Sequence, residues 1–219
     1  MGKGHISIDP ERSALLVVDM QPDFMEGGAL PARGARTILT PITELMTSGH
    51  FRHCIATQDW HPPGHISFAS SHPGRAPFEV IELYGQKQVL WPDHCLQGSA
   101  GASLHPDLPW EKATAIIRKG ENPQVDSYSG LLNNWNAFGL RPPTGLAGYL
   151  RERGIAELFL CGLARDYCVK WTAEDALAAG FITHVLWDLT CPVDPGADEK
   201  ILVGLQAKGV RIILREQIA

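Results

Sequence analysis

The sequence of 219 residues lacks a surplus of positive charge. It contains 19 lysine and arginine residues against 24 aspartate and glutamate residues, which gives a formal net charge of −5. Proteins that bind nucleic acid usually carry a basic surplus, and basic segments also attract proteins to anionic lipid. The composition therefore argues against both nucleic acid and a membrane surface as partners.

Long apolar runs are also missing. The most apolar stretches, residues 14–18 and 158–164, are much shorter than the ~20 residues that cross a bilayer. The first 14 residues include two acidic residues and no extended apolar segment, so we expect no secretory signal. Five cysteines cannot all pair in disulfides, because their number is odd. These features predict a reducing, cytoplasmic location.

Six short apolar runs recur along the chain, at residues 14–18, 54–56, 115–117, 158–161, 182–186 and 210–214. Continuous runs of this length are typical of strands that are buried on both faces of a parallel sheet. Helical spacing is found near residues 40–49, 144–153, 166–179 and 197–208, with Thr40 as predicted N-cap and Pro41 as first helical residue of the first helix. The alternation predicts one domain over residues 1–219, a doubly wound α/β fold whose mostly parallel six-stranded sheet has helices on both faces.

Residues 58–110 interrupt this alternation. The segment is rich in proline and glycine, shows no clear strand or helix pattern and contains five of the nine histidines. A structureless stretch of this length in a compact domain is usually functional. The sequence therefore predicts a long functional loop inserted into the fold.

Polar residues follow the predicted strands. Asp19, Asp59 and Lys119 come directly after the first three, and Cys168 lies in the first turn of the helix after the fourth. The carboxyl ends of parallel strands share the sheet edge where ligands bind, and a helix N-terminus favours a thiolate and can hold an oxyanion. Cys168 is therefore a candidate nucleophile, with Asp19 and Lys119 as candidates for its base and its neighbouring charge. Taken singly, each residue is better explained by an ordinary structural role, as a buried thiol, a turn-capping aspartate or a solvated lysine.

The long loop also carries a candidate metal site. Asp59, His61 and His65 fall within seven residues, and His94 follows a Trp-Pro-Asp turn. Carboxylate and imidazole ligands suit divalent zinc, iron or manganese, and two or three protein ligands leave positions open as in catalytic sites. The alternative is a surface loop with incidental histidines.

Seven segments occur together in the order of a known family. They are LLVVDMQPDF (15–24), TQDWHP (57–62), HISF (65–68), LWPDHCLQGSAGA (90–102), RKG (118–120), DSYSG (126–130) and CGLARDYCVKWTAEDA (161–176). In these segments the chain resembles the bacterial nicotinamidases (pyrazinamidases) of the isochorismatase-like cysteine hydrolase superfamily. The resemblance implies a metal-dependent amidohydrolase that converts nicotinamide to nicotinate and ammonia in NAD salvage and also hydrolyses pyrazinamide.

The resemblance assigns roles to individual residues. It implies that Asp19 takes the thiol proton of Cys168, that Lys119 supports the ion pair, and that the thiolate forms a thioester with the acyl group of the substrate. The backbone N–H groups of Ala164 and Cys168 would hold the oxyanion, next to a cis peptide between Leu163 and Ala164.

The resemblance also implies a cofactor and a pocket. The cofactor is one divalent ion, zinc before iron or manganese, on Asp59, His61 and His94, with His65 as an additional ligand position. The implied substrate-binding residues form flat or apolar walls that suit a small heteroaromatic amide: Phe24, Trp91, Tyr128 and Leu163. A homo-oligomer is left open.

Two features depart from the family or have no assigned role. Arg165 stands where relatives usually have a small or hydroxyl residue, so it either alters the charge of the pocket or points to solvent. The loop at residues 131–144 lies over the pocket or at a subunit contact.

Three alternative functions can be distinguished from a nicotinamidase by particular residues. A metal-free cysteine hydrolase acting on an N-carbamoyl or ureido amide generally lacks the metal ligands, so Asp59, His61 and His94 argue against it. Isochorismatase proper lacks the nucleophile, so Cys168 argues against it. A non-catalytic interaction module on the same fold has no need of Asp19, Lys119 and Cys168 together.

Overall fold

The computed structural model describes residues 4–218, which form a parallel sheet flanked by helices. The strands assigned in this range are β1 (Ser13–Val18), β2 (His53–Asp59), β3 (Val80–Leu83), β4 (Gln86–Val89), β5 (Ala115–Lys119), β6 (Glu157–Leu163), β7 (Ile182–Cys191) and β8 (Arg211–Ile213). The α-helices are α1 (Leu39–Thr47), α2 (Leu146–Glu152), α3 (Lys170–Ala178) and α4 (Asp198–Lys208).

The main sheet has six strands in the order β5-β2-β1-β6-β7-β8, and every neighbouring pair is parallel. Each of the six predicted apolar runs falls on one of these strands, so the predicted sheet is confirmed. The strand order reverses direction between β1 and β6, and ligands bind in the crevice at such a switch point.

Both faces of the central strands are covered by apolar side chains. Leu15 and Val17 of β1 pack in a cluster that includes Ile42 of α1, whereas Leu16 and Val18 pack in the opposite cluster, which includes residues of α2, α3 and α4. Successive side chains on a strand point to opposite faces, so a strand between two helical layers must be apolar at every position. This explains the uninterrupted runs in the sequence.

The start of α1 differs from the prediction. A 3-10 turn at Ala35–Ile38 leads directly into α1, so Ile38 occupies the N-cap position without a side-chain hydrogen bond. Thr40 and Pro41 therefore lie inside the helix rather than at its cap and first residue. The 3-10 turn already leads the backbone into α1, so Thr40 is not needed as a polar N-cap.

The segment at residues 58–110 is not structureless, contrary to the prediction. Strands β3 and β4 pair as an antiparallel hairpin that is separate from the main sheet. Its two turn residues, Tyr84 and Gly85, both have positive φ, as the favoured two-residue hairpin turns require. Most side chains on both strands are exposed or half-buried, and neither strand has three consecutive apolar residues as the buried strands of the main sheet do.

The loop at residues 131–144 is tied to α3. The guanidinium of Arg141 donates two hydrogen bonds to the carboxylate of Asp175, at 2.7 and 2.8 Å, and lies over the rings of Trp135 and Trp171. Paired N–H donors and a planar cation suit both contacts. The loop is therefore fixed against the helix that follows Cys168.

We predict that Arg141→Met lowers the free energy of unfolding by about 2 kcal/mol, because it leaves the largely buried Asp175 carboxylate without its cation. Denaturant unfolding measures this effect. The matched control is Arg75→Met, which removes an exposed ion pair with Glu79 and is expected to cost less than about 1 kcal/mol. Equal effects of the two substitutions would show that the Arg141 contacts do not stabilise the loop.

No helix within residues 4–218 is long and apolar enough to cross a membrane.

Candidate active site

The structure brings the three predicted catalytic residues together at the carboxyl edge of the sheet. Asp19 follows β1, Lys119 is the last residue of β5, and Cys168 lies in a turn directly after β6. The Nζ atom of Lys119 is 2.9 Å from Asp19 Oδ2 and 3.5 Å from Cys168 Sγ. The amine therefore contacts both partners that a cysteine hydrolase needs.

Asp19 is held in a constrained position. Its backbone has φ of 45°, a left-handed conformation that aspartate tolerates better than most residues. Thr57 fixes the residue from β2: the Asp19 N–H donates to Thr57 Oγ1 at 3.1 Å, and that hydroxyl donates to Asp19 Oδ1 at 2.7 Å. Burial raises the pKa of Asp19, although the Lys119 charge opposes this. A buried carboxylate of raised pKa is well suited to accept a proton.

Lys119 is almost fully buried, and its charge is compensated. Its ammonium contacts the carboxylates of Asp19 and Asp59 and donates to the carbonyl of Ser127 at 3.0 Å. Burial lowers the pKa of Lys119, but the two carboxylates outweigh it and hold the pKa well above its usual value. The side chain therefore remains a cation, and it is an electrostatic group rather than a base.

Cys168 rests as a thiol. Burial raises the pKa of Cys168 well above its ordinary value; Lys119 lowers it, and the Asp19 and Asp59 carboxylates add to the increase. The sequence interpretation is that a helix N-terminus favours a thiolate and that the cysteine also needs a proton acceptor. The buried setting requires that the proton pass to a neighbouring base, and Asp19 is adjacent.

Cys168 does not lie in the first turn of an α-helix, contrary to the prediction. Residues Arg165–Val169 form a π-helical turn, and α3 begins only at Lys170. The wide turn is closed by the Val169 N–H, which donates to the carbonyl of Ala164 at 3.0 Å. π-turns of this kind often occur at functional sites.

The predicted oxyanion residues lie where the turn meets the cavity. The peptide between Leu163 and Ala164 is cis, as the resemblance implied. Ala164 and Cys168 both line a cavity with an empty volume of about 340 Å³. Leu163, predicted to bind substrate, does not line the cavity: its side chain is fully buried in the apolar core, because it still belongs to β6.

The other predicted walls do line this cavity. Phe24, Trp91 and Tyr128 surround it together with Tyr167, whose ring lies edge-on to Trp91 at 4.6 Å and to Tyr128 at 5.4 Å. Residues that the sequence did not single out complete the lining: Leu30, Asp126, Ser127, Tyr167 and Val193. Tyr167 could have been found as the neighbour of Cys168, whereas Leu30 and Val193 carry no sequence signal.

Three buried donors meet on one side of the cavity. Asp59 Oδ2 is 3.1 Å from His61 Nε2 and 3.4 Å from His94 Nε2. The remaining ring nitrogens bind backbone carbonyls, His61 Nδ1 that of Gly120 at 3.0 Å and His94 Nδ1 that of Pro92 at 2.8 Å. These bonds favour the tautomers in which both Nε2 atoms are free of hydrogen, as a metal requires.

Gly120 makes room for this donor set. Its φ is 71°, and a Cβ atom at this position would overlap the imidazole ring of His61. A glycine after Lys119 therefore allows the charge of Lys119 and the ring of His61 to approach the same Asp59 carboxylate.

His65 lies beside the donor set rather than in it. Its Nδ1 is 2.8 Å from Ser67 Oγ and its Nε2 is 3.2 Å from the carbonyl of Val125, so both ring nitrogens have protein partners. Its ligand atoms group with those of His61 and Asp126. Burial lowers the pKa of His65 to about 4, which keeps the ring neutral.

Arg165 neither charges the pocket nor points to solvent. Its guanidinium donates to Thr190 Oγ1 at 2.9 Å and to Asp198 Oδ2 at 2.6 Å, and it lies 4.1 Å from the centre of the Trp187 ring. Both alternatives from the sequence are therefore wrong. Arg165 ties the turn that carries Cys168 to β7 and to the first residue of α4.

Comparison with known proteins identifies the family. Residues 13–217 match the model of the isochorismatase domain. The chain is 47% identical to the nicotinamidase of Acinetobacter baylyi over 83% of this chain and 82% of that protein. It is 46% identical to the nicotinamidase of Escherichia coli over 80% of this chain and 81% of that protein.

Solved structures agree with this result. An Acinetobacter baumanii nicotinamidase and pyrazinamidase superimposes with a TM-score of 0.88 at 46% identity, covering 94% of this chain and 97% of that one. An L. infantum structure in complex with nicotinate gives 0.85 at 37% identity, covering 98% of both chains. A Pyrococcus horikoshii pyrazinamidase in complex with zinc gives 0.74 at 35% identity, covering 93% and 99%. The chain belongs to the nicotinamidase/pyrazinamidase family of isochorismatase-domain proteins.

Proposed function

We propose that this chain is an amidohydrolase that converts nicotinamide to nicotinate and ammonia through a cysteine thioester, and that it also hydrolyses pyrazinamide. The observation that carries the proposal is the Lys119 ammonium, which lies within 3.5 Å of both Asp19 and Cys168 beside an aromatic cavity. The relatives named nicotinamidase supply the substrate, because the fold alone does not specify one.

The proposed reaction begins with proton transfer. The Asp19 carboxylate accepts the proton of the Cys168 thiol, and the Lys119 ammonium stabilises the thiolate that forms. Sγ then attacks the carbonyl carbon of the amide. The resulting oxyanion is held by the N–H groups of Ala164 and Cys168.

Breakdown of the tetrahedral intermediate returns the proton. Asp19, now a carboxylic acid, protonates the amide nitrogen, the C–N bond breaks, and ammonia leaves a thioester on Sγ. Asp19 next takes a proton from water as the water oxygen attacks the thioester carbonyl. The C–S bond breaks, the acid is released, and the proton returns to Cys168. One carboxylate thus acts alternately as base and acid.

The buried donors Asp59, His61 and His94 fit a divalent ion, and we propose zinc, with iron or manganese as alternatives that the same ligands accept. Such an ion supplies a Lewis acid for a pyridine nitrogen of the substrate. Asp59 divides its two oxygens between Lys119 and the histidine nitrogens, so the donor set and the catalytic charges share one carboxylate. His65 is proposed as a support of His61 rather than as a ligand.

We predict that the purified protein binds about one divalent ion per chain and that His94→Ala weakens this binding at least about tenfold. Removing the ion with a chelator is expected to lower the unfolding temperature of the wild type by about 5–10 °C, since a ligand at 100 times its Kd stabilises by about 2.7 kcal/mol. Elemental analysis and thermal unfolding measure both effects. The exposed His5 provides the control variant His5→Ala; an unchanged metal content in His94→Ala would contradict the site.

A panel of amides tests the proposed substrate. Ammonia release is expected from nicotinamide and pyrazinamide and not from N-carbamoyl amino acids or ureido acids. Hydrolysis of the N-carbamoyl compounds with no release from nicotinamide would instead support the metal-free relative.

The proposal includes cell location and pathway. We place the protein in the cytoplasm, where free thiols persist, because all five cysteines are unpaired. Its product would feed NAD salvage. We further propose that residues 1–219 form a single catalytic domain, since β1 and β8 near the two ends belong to the same sheet.

A further inference from the structure

A second cavity adjoins the candidate active site. It has an empty volume of about 760 Å³ and lies between the β3–β4 hairpin and the loop at residues 131–144, with Lys87, Trp135 and Trp171 among its walls. Asp126 and Tyr128 line this outer cavity and also the catalytic cavity. These two residues therefore form a partition between the two spaces.

The partition is held from the hairpin by one side chain. Gln88 is the buried residue on β4, whose neighbours are exposed or half-buried. Its Nε2 donates to Asp126 Oδ2 and to the backbone carbonyl of Val89, both at 2.7 Å, and lies 3.1 Å from the hydroxyl of Tyr128. The same hydroxyl accepts from Trp91 Nε1 at 3.3 Å. Gln88 thus contacts both members of the partition.

The chemistry of these contacts determines how Gln88 is oriented. An amide oxygen placed 2.7 Å from a carboxylate oxygen would repel it, so the nitrogen must face Asp126. The Gln88 N–H then donates to the buried carboxylate of Asp126. Hydrogen bonds to a charged acceptor are stronger than those between neutral groups. The other carboxylate oxygen of Asp126 accepts from the N–H of Ser127 at 2.8 Å.

We propose that Gln88 is a positioning residue which, by holding Asp126 and Tyr128, sets the upper size limit of the amide that enters the catalytic cavity. The inference rests on the proposed function, because the limit applies to the substrate of that reaction. Releasing the partition would join the catalytic cavity to the larger outer one. The chain would then accept amides with a second fused ring, which the closed partition excludes.

The test compares nicotinamide with quinoline-3-carboxamide, a bicyclic amide of the same type, in the full-length protein. Gln88→Met retains the length of the side chain but removes its hydrogen bonds to Asp126, Tyr128 and the Val89 carbonyl. We expect KM for nicotinamide to rise about tenfold with kcat within about twofold, because the loosened partition would hold the ring less well while Asp19, Lys119 and Cys168 are unchanged. The ratio of kcat/KM for the bicyclic amide to that for nicotinamide should rise at least about tenfold.

Gln86→Leu is the matched control, because Gln86 is exposed on the same strand and lines only the outer cavity. It is expected to change neither KM nor the ratio by more than about twofold. If Gln88→Met fails to fold, Gln88→Asn withdraws the amide by one methylene and should shift the ratio in the same direction.

The outcomes separate this inference from the proposed function. A wild type that releases ammonia from nicotinamide, combined with an unchanged ratio in a folded Gln88 variant, would overturn the role of Gln88 alone. An equal fall of kcat for both amides with no change in KM would also overturn it, because that result indicates loss of the chemistry and not of the partition. A wild type inactive on nicotinamide would overturn the proposed function itself.

Discussion

Replacing Cys168 by alanine is expected to lower kcat for ammonia release from nicotinamide by more than about 10⁴-fold, because no other group can form the thioester. The thiol lies 3.5 Å from the Lys119 ammonium and lines the aromatic cavity. Alanine fits the same space, so the folded protein and its metal content should persist. Initial rates, thermal unfolding and elemental analysis on one preparation measure the three quantities.

Cys161→Ala is the matched control for this prediction. Cys161 is buried within β6, in the same apolar cluster as Phe159, and does not line the cavity. Cys161→Ala is expected to leave kcat within a few-fold of the wild-type value, because the substitution lies in the core away from the site. Substantial activity in Cys168→Ala would exclude the thiol as nucleophile.

Asp19→Asn is expected to lower kcat/KM by about 10³-fold, the second largest expected effect. Asparagine keeps the shape and the hydrogen bond with Thr57 but cannot take a proton from the buried Cys168 thiol. Burial raises the pKa of Cys168, so the thiol needs a base to take its proton, and asparagine supplies none at position 19.

The same substitution also tests the buried charges. Lys119 would keep Asp59 as its one remaining carboxylate, so we expect Asp19→Asn to lower the free energy of unfolding by about 3 kcal/mol. The control is Asp107→Asn at an exposed position, with no expected change in rate or stability. A stable Asp19→Asn variant with wild-type kcat/KM would remove the proton-transfer role.

Much of the catalytic geometry follows from residues that end buried strands. The apolar runs before Asp19, Asp59 and Lys119 were visible in the sequence, and the parallel pairing of β1, β2 and β5 places all three side chains at one edge. Cys168 was placed correctly after β6 but in the wrong kind of turn. Its π-turn is formed by backbone hydrogen bonds, from Val169 to Ala164 and from Lys170 to Arg165, which leave no pattern in the sequence.

The missed features share a physical cause, which is that long-range contacts outweigh local signals. The β3–β4 hairpin is mostly exposed or half-buried, and its residue Gln88 contacts Asp126 of the site. Arg165 was expected to alter the pocket charge or to point to solvent because it follows Ala164 of the oxyanion turn, yet its partners lie on β7 and α4. The family resemblance implied Leu163 as a pocket wall, yet the alternation of side chains along β6 turns it into the core.

The most direct measurement of the central claim is the amount of nicotinate and ammonia formed from nicotinamide by the wild type and by Cys168→Ala in parallel. We predict that the wild type forms the two products in equimolar amounts and that the variant forms neither above background. Ammonia without nicotinate, or equal product from both proteins, would contradict hydrolysis of nicotinamide through a thioester on Cys168.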